Sequence, residues 1–184
     1  MLRIIGGRHK GRVLDVPYGK STRPTTNRVR EALFNIIESK YTIAGAQVLD
    51  ACAGSGALGL EAISRGAHHS TFFDINKYAL EIIKKNIASL KEEESTKIYQ
   101  VDVTNPPKPK NGVSCSFVFL DAPYQSKILL DGLMAISRSG WLRKSSIVII
   151  ETEKYANFIW PTFFKEIELR IYGSTKLHFV EYIG

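Results

Sequence analysis

Residues 47–66 read QVLDACAGSGALGLEAISRG and predict a strand, a tight turn and a helix in immediate succession. A short apolar strand pattern runs into Asp50, a loop of small residues follows at 51–56, and a helical pattern begins directly after it. Gly54 and Gly56 allow the backbone to approach a ligand closely, and the start of the helix offers unpaired N–H groups. The stretch therefore predicts an α/β fold that opens on a nucleotide-binding βαβ unit.

Asp50 distinguishes this loop from a dinucleotide-binding loop. Together with Gly59, the two loop glycines also match the pattern G-x-G-x-x-G of NAD-binding proteins. A carboxylate directly before the loop repels a pyrophosphate but attracts a cationic ligand, and S-adenosylmethionine carries an ammonium and a sulfonium but no phosphate. The stretch resembles motif I of the Rossmann-like class I methyltransferases. A turn that binds no ligand is the alternative, and a Rossmann oxidoreductase would give Asp50 no role.

Two further acidic residues end the next predicted strands. Asp74 lies 18 residues beyond Gly56, near the ~20-residue offset at which such a carboxylate accepts ribose hydroxyls. Asp102, in a strand predicted over 97–103, is placed to accept an adenine amino group, with the Val103 N–H facing a ring nitrogen. A helix cap at Asp74 and a solvated Asp102 are the alternatives. The predicted cofactor-binding residues are Asp50, Ala51, Gly54, Ser55, Gly56, Asp74, Ile75, Asp102 and Val103.

The second chemical motif follows the continuous apolar run 117–120, which predicts a central strand buried on both faces. It reads Asp121-Ala122-Pro123-Tyr124. Ligands of open α/β sheets bind beyond the carboxyl ends of the strands near the switch in strand order, so this strand is expected to bring DAPY beside the glycine loop. Pro123 restrains Ala122 to extended dihedrals and thereby fixes the direction of its carbonyl.

The DAPY tetrapeptide suits a planar base with an exocyclic amine. The Asp121 carboxylate and the Ala122 carbonyl are a rigid pair of acceptors for N–H groups, and Tyr124 offers a flat face for stacking. Acceptors on the amine favour the geometry in which its lone pair attacks a methyl group, so placement and electrostatics suffice without a protein nucleophile. The predicted catalytic residues are Asp121, Ala122, Pro123 and Tyr124. The alternative is a strand-to-helix turn with an Asp cap and a packing Tyr.

The DAPY sequence is similar to the [DN]-P-P-[YF] motif of amino-methyltransferases that act on nucleic-acid bases, and it departs from that motif at Ala122. Alanine keeps the backbone carbonyl to which the family assigns a role, so the departure lowers rigidity and remains compatible with catalysis. Three segments in the right order resemble the RsmD family of bacterial 16S ribosomal RNA guanine-N2 methyltransferases. They are LRIIGGRHKGRVLDVP at 2–17, RPTTNRVREALFNII at 23–37 and LDACAGSGALGLEAISRGA at 49–67. The resemblance covers about residues 1–150.

The resemblance implies a seven-stranded, mostly parallel sheet with an antiparallel strand in a C-terminal hairpin. It implies S-adenosylmethionine as methyl donor, S-adenosylhomocysteine as product and no metal. It also implies 16S rRNA or a small-subunit assembly particle as partner. The C-terminal patterns at 166–172 and 176–182 predict strands joined by a turn at Gly173-Ser174. Trp141 and Trp160 are expected to pack rather than to bind bases.

The basic residues are concentrated at the N-terminus. Of 25 basic and 18 acidic residues, eight basic and one acidic lie in residues 1–30, so the remaining 17 and 17 cancel. Strands at 2–5 and 13–16 predict a β-hairpin with a basic tip, which is typical of a polyanion-binding surface. A solvated tail is the alternative. By the resemblance, Arg23, Thr25 and Arg28 lie nearest the site. The predicted RNA-binding residues are Arg3, Arg8, Lys10, Arg12, Arg23, Thr25 and Arg28.

The chain is expected to comprise a basic extension, residues 1–25, and a methyltransferase domain, residues 26–184. No apolar run reaches the ~18–20 residues of a membrane span, and no signal-peptide pattern is present. Cys52 and Cys115 have no metal-ligand spacing, and the four histidines are scattered. A cytoplasmic protein without a metal or a membrane is therefore expected, and a monomer is favoured.

Two other functions remain open from the sequence. An adenine-N6 DNA methyltransferase would share the motifs but usually carries a target-recognition segment, for which 184 residues leave no room. A catalytically silent RNA-binding assembly factor is kept open by the alanine in DAPY. Guanine is favoured over adenine because the Asp121 carboxylate can accept both N1–H and an amino N–H, whereas adenine offers one donor and one acceptor.

Overall fold

The computed structural model describes residues 1–17, 26–122 and 126–184. The strands of these residues are β1 (Leu2–Arg3), β2 (Val13–Leu14), β3 (Gln47–Ala51), β4 (His69–Asp74), β5 (Thr96–Gln100), β6 (Cys115–Leu120), β7 (Leu142–Glu153), β8 (Phe164–Tyr172) and β9 (Thr175–Tyr182). The α-helices are α1 (Asn27–Lys40), α2 (Ala57–Ser64), α3 (Lys77–Leu90) and α4 (Ser126–Arg138). No helix within these ranges is long and apolar enough to cross a membrane.

The main sheet contains seven strands of the described residues, in the order β5-β4-β3-β6-β7-β9-β8. The first five strands in this order run parallel, whereas β9 is antiparallel to both β7 and β8. Parallel neighbours need crossover connections, and α2, α3 and α4 provide three of them. The predicted mostly parallel sheet with an antiparallel strand in a C-terminal hairpin is confirmed.

The central strands are covered on both faces. In β6, residues 117–120 are at most 3% exposed, as expected for a parallel strand between two helix layers. One face packs against α1, where the rings of Phe34 and Phe119 lie 5.6 Å apart. The other face packs against α4 through Leu133 and Ile136. The helices therefore hold the strand ends in fixed positions at the edge of the sheet.

The order of the strands reverses between β3 and β6. From β3 the chain proceeds outward to β4 and β5, then returns to β6 on the other side of β3. Ala51, the last residue of β3, pairs with Phe73 in β4 and with Leu120 in β6. The next residue of each strand, Asp74 in β4 and Asp121 after β6, therefore flanks Cys52 at the same edge. This edge is the switch point at which ligands bind in open α/β sheets.

The N-terminal hairpin is present and packs on the body of the fold. β1 and β2 pair antiparallel with Leu2 opposite Leu14. Leu2, Ile4 and Leu14 are buried and form one apolar cluster with side chains of α2, α3 and β4. The two strands are shorter than predicted, and a 3-10 turn, Gly7–His9, lies between them. The hairpin is thus docked through an apolar face.

The carboxyl end of β5 differs from the predicted one. β5 ends at Gln100 rather than at 103, because the Asp102 carboxylate accepts the Thr104 N–H and turns the chain. β7 begins at Leu142 and includes the polar residues 143–146 ahead of its apolar run at 147–150. Helix α1 begins at Asn27, with the Thr26 hydroxyl as its N-cap.

Both tryptophans pack, as predicted. Trp141 is 4% exposed and meets the ring of Phe73 edge-on at 5.0 Å, while its indole N–H donates to the Pro107 carbonyl. Trp160 stacks on Phe158 at 5.5 Å. Both indoles are therefore structural groups that pack against the same apolar cluster.

Candidate active site

Asp50 lies behind the glycine loop rather than on its surface. Its carboxylate is 2% exposed and accepts the backbone N–H of Gly59 at 2.8 Å. Burial is the main cause that raises the pKa of Asp50 well above its usual range, and the charges of Asp121 and Asp74 add to the rise. Asp50 thus fixes the start of α2 against the end of β3 from beneath the loop.

The glycine loop exposes its backbone to an open region. Gly54 has a φ of +56°, and a Cβ placed there would meet no atom within 4 Å. Its N–H donates to the Asp74 carboxylate at 2.8 Å. Gly59 differs, because a Cβ there would lie 2.4 Å from the ring of Phe72. Gly54 is therefore suited to the close approach of a ligand, whereas Gly59 serves the packing of helix on sheet.

Asp74 is held by two backbone donors. One carboxylate oxygen accepts from Gly54, and the other accepts from Asn76 at 2.8 Å. The N-cap of α3 is Asn76, whose side chain accepts from Tyr78. Ile75 follows directly and is 66% exposed. The end of β4 therefore presents a fixed carboxylate beside an exposed apolar side chain, a pair that suits a ribose and a flat base.

Asp102 and Val103 lie beyond the end of β5. Asp102 is exposed and accepts both the N–H and the hydroxyl of Thr104, and these bonds lower its pKa. The side chain of Val103 is 5% exposed and packs in the core, where a Cβ at Gly132 would meet it at 3.1 Å. Asp102 therefore stays ionised in a turn, and Val103 anchors that turn to α4.

The described part of the DAPY motif begins where β6 ends. Asp121 is half-buried and Ala122 is 4% exposed. The charge of Asp121 reaches Asp50 and Cys52, because it contributes to the raised pKa of each. Pro123 and Tyr124 lie outside the described residues. The structure therefore brings Asp121 and Ala122 to the glycine loop, as the strand order predicts.

Cys52 is a residue of this site that the sequence analysis missed. It has a φ of +65°, which is uncommon for a residue with a side chain. Burial raises the pKa of its thiol to about 12. The further causes are the charges of four carboxylates, those of Asp74, Asp121, Asp50 and Asp102. The raised pKa keeps the thiol protonated, and the carboxylates that converge around it favour a cation at the switch point.

The basic residues of the extension and of the start of α1 differ in what they contact. Arg8 forms an ion pair with Glu92 at 2.7 Å, and Arg12 donates to the Ser89 carbonyl at 2.5 Å. Arg3 is exposed but donates to the Gly11 carbonyl within the hairpin. Lys10 and Arg28 are exposed and form no ion pair among the described residues. Arg23 and Thr25 lie outside the described ranges.

Glu61 anchors the hairpin, and the sequence analysis did not single it out. Its side chain is fully buried on α2 and accepts the backbone N–H groups of Ile5 and Gly6 at 2.8 and 2.7 Å. Arg65 donates to it at 2.9 Å, and the buried Arg30 guanidinium lies 3.7 Å away. A glutamate among the apolar residues of α2 is the signal that points to this role, because an unpaired buried charge is costly.

Comparisons with known proteins agree with this geometry. Residues 2–181 match the model of the family described as Conserved hypothetical protein 95. Ribosomal RNA small subunit methyltransferase D of Escherichia coli (strain K12) is 37% identical over 152 residues, which are 83% of this chain and 75% of that protein. The protein of the same name from Haemophilus influenzae is 36% identical over 162 residues, 87% of this chain and 83% of that protein.

A solved structure has the same fold. It is described as the putative methyltransferase yhhF from Escherichia coli, and the match has a TM-score of 0.82 at 31% identity, covering 100% of this chain and 98% of that chain. The resemblance of the three N-terminal segments to the RsmD family is thereby confirmed. The chain belongs to the family described as Conserved hypothetical protein 95, the RsmD family of methyltransferases.

Proposed function

We propose that the protein transfers a methyl group from S-adenosylmethionine to the N2 amine of one guanine in 16S rRNA, in the cytoplasm. The support is the family, whose relatives are named ribosomal RNA small subunit methyltransferase D, together with the site at the switch point. The observation that carries the proposal is the convergence of carboxylates on Cys52 beside the open backbone of Gly54. A phosphate-bearing cofactor would be repelled there, whereas a cationic one is attracted.

The residues of the switch point fit S-adenosylmethionine, which supplies the electrophilic methyl group when bound. Asp74 accepts the ribose hydroxyls with the lone pairs that its two backbone bonds leave available. Ile75 covers one face of the adenine, and the turn at Asp102 and Val103 meets its edge. Asp50 contributes negative charge and holds the loop in place through Gly59.

The DAPY motif receives the target base. Asp121 accepts N1–H and one amino N–H of guanine, the Ala122 carbonyl accepts the second amino N–H, and Tyr124 stacks on the ring. The amine then presents its lone pair to the methyl group, and Asp121 offers the acceptor for the proton that the amine releases. Cys52 takes no part as a nucleophile, since its raised pKa keeps the thiol neutral.

The exposed cations of the extension hold the RNA. Lys10 and Arg28 contact phosphates, because their charges are not used in ion pairs among the described residues. Arg3 and Arg12 remain exposed while they donate to backbone carbonyls, so each keeps donors for a phosphate. Arg8, Arg23 and Thr25 complete the proposed RNA surface.

The test is a methyl-transfer assay with labelled S-adenosylmethionine on small ribosomal subunits, free 16S rRNA and duplex DNA. Nuclease digestion then identifies the modified base. N2-methylguanine in rRNA is the expected product, and the better acceptor shows whether free RNA or the particle is the substrate. N6-methyladenine in DNA would replace the proposal by a DNA methyltransferase. Cofactor binding without transfer would make the protein a silent assembly factor.

A further inference from the structure

Asn86 joins the glycine loop to the N-terminal extension. It lies on α3 with 2% of its surface exposed. Its amide nitrogen donates to the Ser55 carbonyl at 2.9 Å and to the Asp15 carbonyl at 3.0 Å. Its amide oxygen accepts the Asp15 N–H at 2.8 Å. One buried side chain therefore touches the predicted cofactor loop and the segment that leaves the hairpin.

The orientation of this amide is fixed by its partners. Asp15 offers both a backbone N–H and a carbonyl, and a flipped Asn86 amide would place donor against donor and acceptor against acceptor. Both hydrogens of the amide nitrogen are used, one for each carbonyl. Displacing either partner would leave a buried polar group unsatisfied, which is costly. The two partners are therefore held in one mutual arrangement.

The contact with Ser55 controls the most constrained peptide of the loop. The peptide between Ser55 and Gly56 is planar, so its carbonyl and its N–H point in opposite directions. Asn86 holds the carbonyl, while the Gly56 N–H donates to the Ala53 carbonyl at 2.7 Å. Gly56 is also the N-cap of α2. Asn86 thus fixes the plane of the peptide from which the ligand-facing helix begins.

We propose that Asn86 is a positioning residue that couples cofactor binding at the glycine loop to RNA binding by the extension. The inference rests on the proposed function, since it assigns the two ligands to the two partners of Asn86. A cofactor that orders Ser55 also orders Asn86 and, through it, Asp15. RNA then binds an extension that has already lost part of its conformational entropy, so the entropic cost of RNA binding is smaller. By linkage the effect is reciprocal, and RNA tightens cofactor binding by the same factor.

Glu92 provides a matched control. It lies just beyond α3 and also binds the extension, because Arg8 and His9 reach its carboxylate at 2.7 and 2.5 Å. Its further side-chain partner is the Ser95 hydroxyl, and it makes no hydrogen bond to the glycine loop among the described residues. Glu92→Gln therefore weakens the attachment of the extension but leaves the contact between Asn86 and the glycine loop intact. Comparing it with the Asn86 variants shows whether the coupling depends on Asn86 or only on a firmly attached extension.

The experiment measures S-adenosylhomocysteine binding by calorimetry with and without 16S rRNA, and rRNA binding with and without S-adenosylhomocysteine. Small subunits replace the free RNA if they are the better acceptor. In the unchanged protein each ligand is expected to tighten the other by about fivefold, the low end of common coupling factors. Asn86→Asp keeps the acceptor for Asp15 but loses both donors, and Asn86→Ala serves if the added charge prevents folding.

The coupling factor is expected to fall below about twofold in the Asn86 variants and to remain in Glu92→Gln, although that variant binds RNA more weakly. A thermal unfolding curve confirms that each variant is folded. An unchanged factor in Asn86→Ala, or an equal loss in Glu92→Gln, would overturn the coupling role. If the unchanged protein methylates RNA but shows no coupling, the inference fails and the proposed function stands. If it binds neither ligand, both fail.

Discussion

The acidic switch point and the basic extension hold their charges in opposite ways. At the switch point Asp50, Asp74 and Asp102 accept backbone N–H groups, and none of them forms an ion pair among the described residues. Near the N-terminus, Arg8 of the extension is paired with Glu92, and Arg30 of α1 lies against Glu61. Backbone donors fix a carboxylate while leaving its charge uncancelled, whereas an ion pair cancels it.

The difference separates charges that act on ligands from charges that hold the fold. A negative field at the switch point remains available to a cationic cofactor. Part of the excess positive charge of residues 1–30 instead docks the hairpin, because Arg12 donates to the Ser89 carbonyl of α3 and Arg8 pairs with Glu92 just beyond α3. The extension is therefore a structural part of the domain that also presents a few outward cations, and the predictions below test each half of this distinction.

The largest effect is expected at Asp121, which follows β6 at the switch point. Asp121→Ala removes the proposed acceptor of the guanine N–H groups and should lower the turnover number by about 100- to 1,000-fold, the range seen when one preorganised stabilising group is removed. Affinity for S-adenosylhomocysteine should change little. Single-turnover methyl transfer and calorimetry measure the two quantities. Unchanged turnover would remove Asp121 from the mechanism.

The two glycines that flank the start of α2 should separate ligand binding from folding. Gly54→Ala places a Cβ in open space and imposes a left-handed φ, so we expect roughly tenfold weaker binding of S-adenosylhomocysteine with a small loss of stability. Gly59→Ala instead forces a Cβ against Phe72 and should cost about 1–3 kcal/mol of folding free energy. Urea unfolding measures the loss of stability, and calorimetry measures the affinity for S-adenosylhomocysteine. Equal losses of stability and of affinity in the two variants would contradict this separation.

Much of this arrangement is available from sequence, and the limits have a physical cause. Apolar runs at 117–120 predict a buried strand because burial on both faces leaves a local pattern, and the glycine spacing locates the loop. The placement of Asp121 beside Asp50 follows from the rule for switch points.

What the sequence could not predict is how the polar groups pair across distant segments. Nothing local indicates that Asn86 reaches Asp15 or that Arg8 is paired with Glu92, since these residues lie 71 and 84 positions apart. The concentration of basic residues therefore predicted a polyanion-binding surface at the N-terminus, but it did not show which of these cations form ion pairs within the fold. Asp50 likewise looked like a direct ligand contact, and only its burial indicates a role beneath the loop.

The outward cations should dominate the salt dependence of RNA binding. Lys10→Ala is expected to reduce the slope of log K against log salt by about 1, as for the loss of one phosphate contact. Arg8→Ala should change the slope less, because Arg8 is held by Glu92, and should instead loosen the hairpin. Filter binding over a salt series measures both. Equal slopes for the two variants would mean that pairing with Glu92 does not restrict Arg8.

The smallest effect concerns the stability cost of the buried charge at Asp50. Its pKa is raised in the folded state, chiefly by burial. A carboxyl of this kind stabilises the fold fully only below its unfolded pKa of about 3.9, and the contribution is lost as the pH rises through the raised folded value. Asp50→Asn keeps an acceptor for the Gly59 N–H but carries no charge.

As the pH rises from about 4 towards 8, the melting temperature of Asp50→Asn should therefore rise relative to that of the unchanged protein. Each kcal/mol of relative stability corresponds to a few degrees of melting temperature, about 2–4 °C for a chain of this size. The quantity to measure is how the difference in melting temperature between the two proteins changes with pH. A cost of the new amide that does not depend on pH leaves that change unaltered. Affinity for S-adenosylmethionine, which is cationic, should fall at the same time, since the field at the switch point weakens. A difference that is flat with pH would mean that the pKa of Asp50 is the same in the folded and the unfolded protein, so that burial does not raise it.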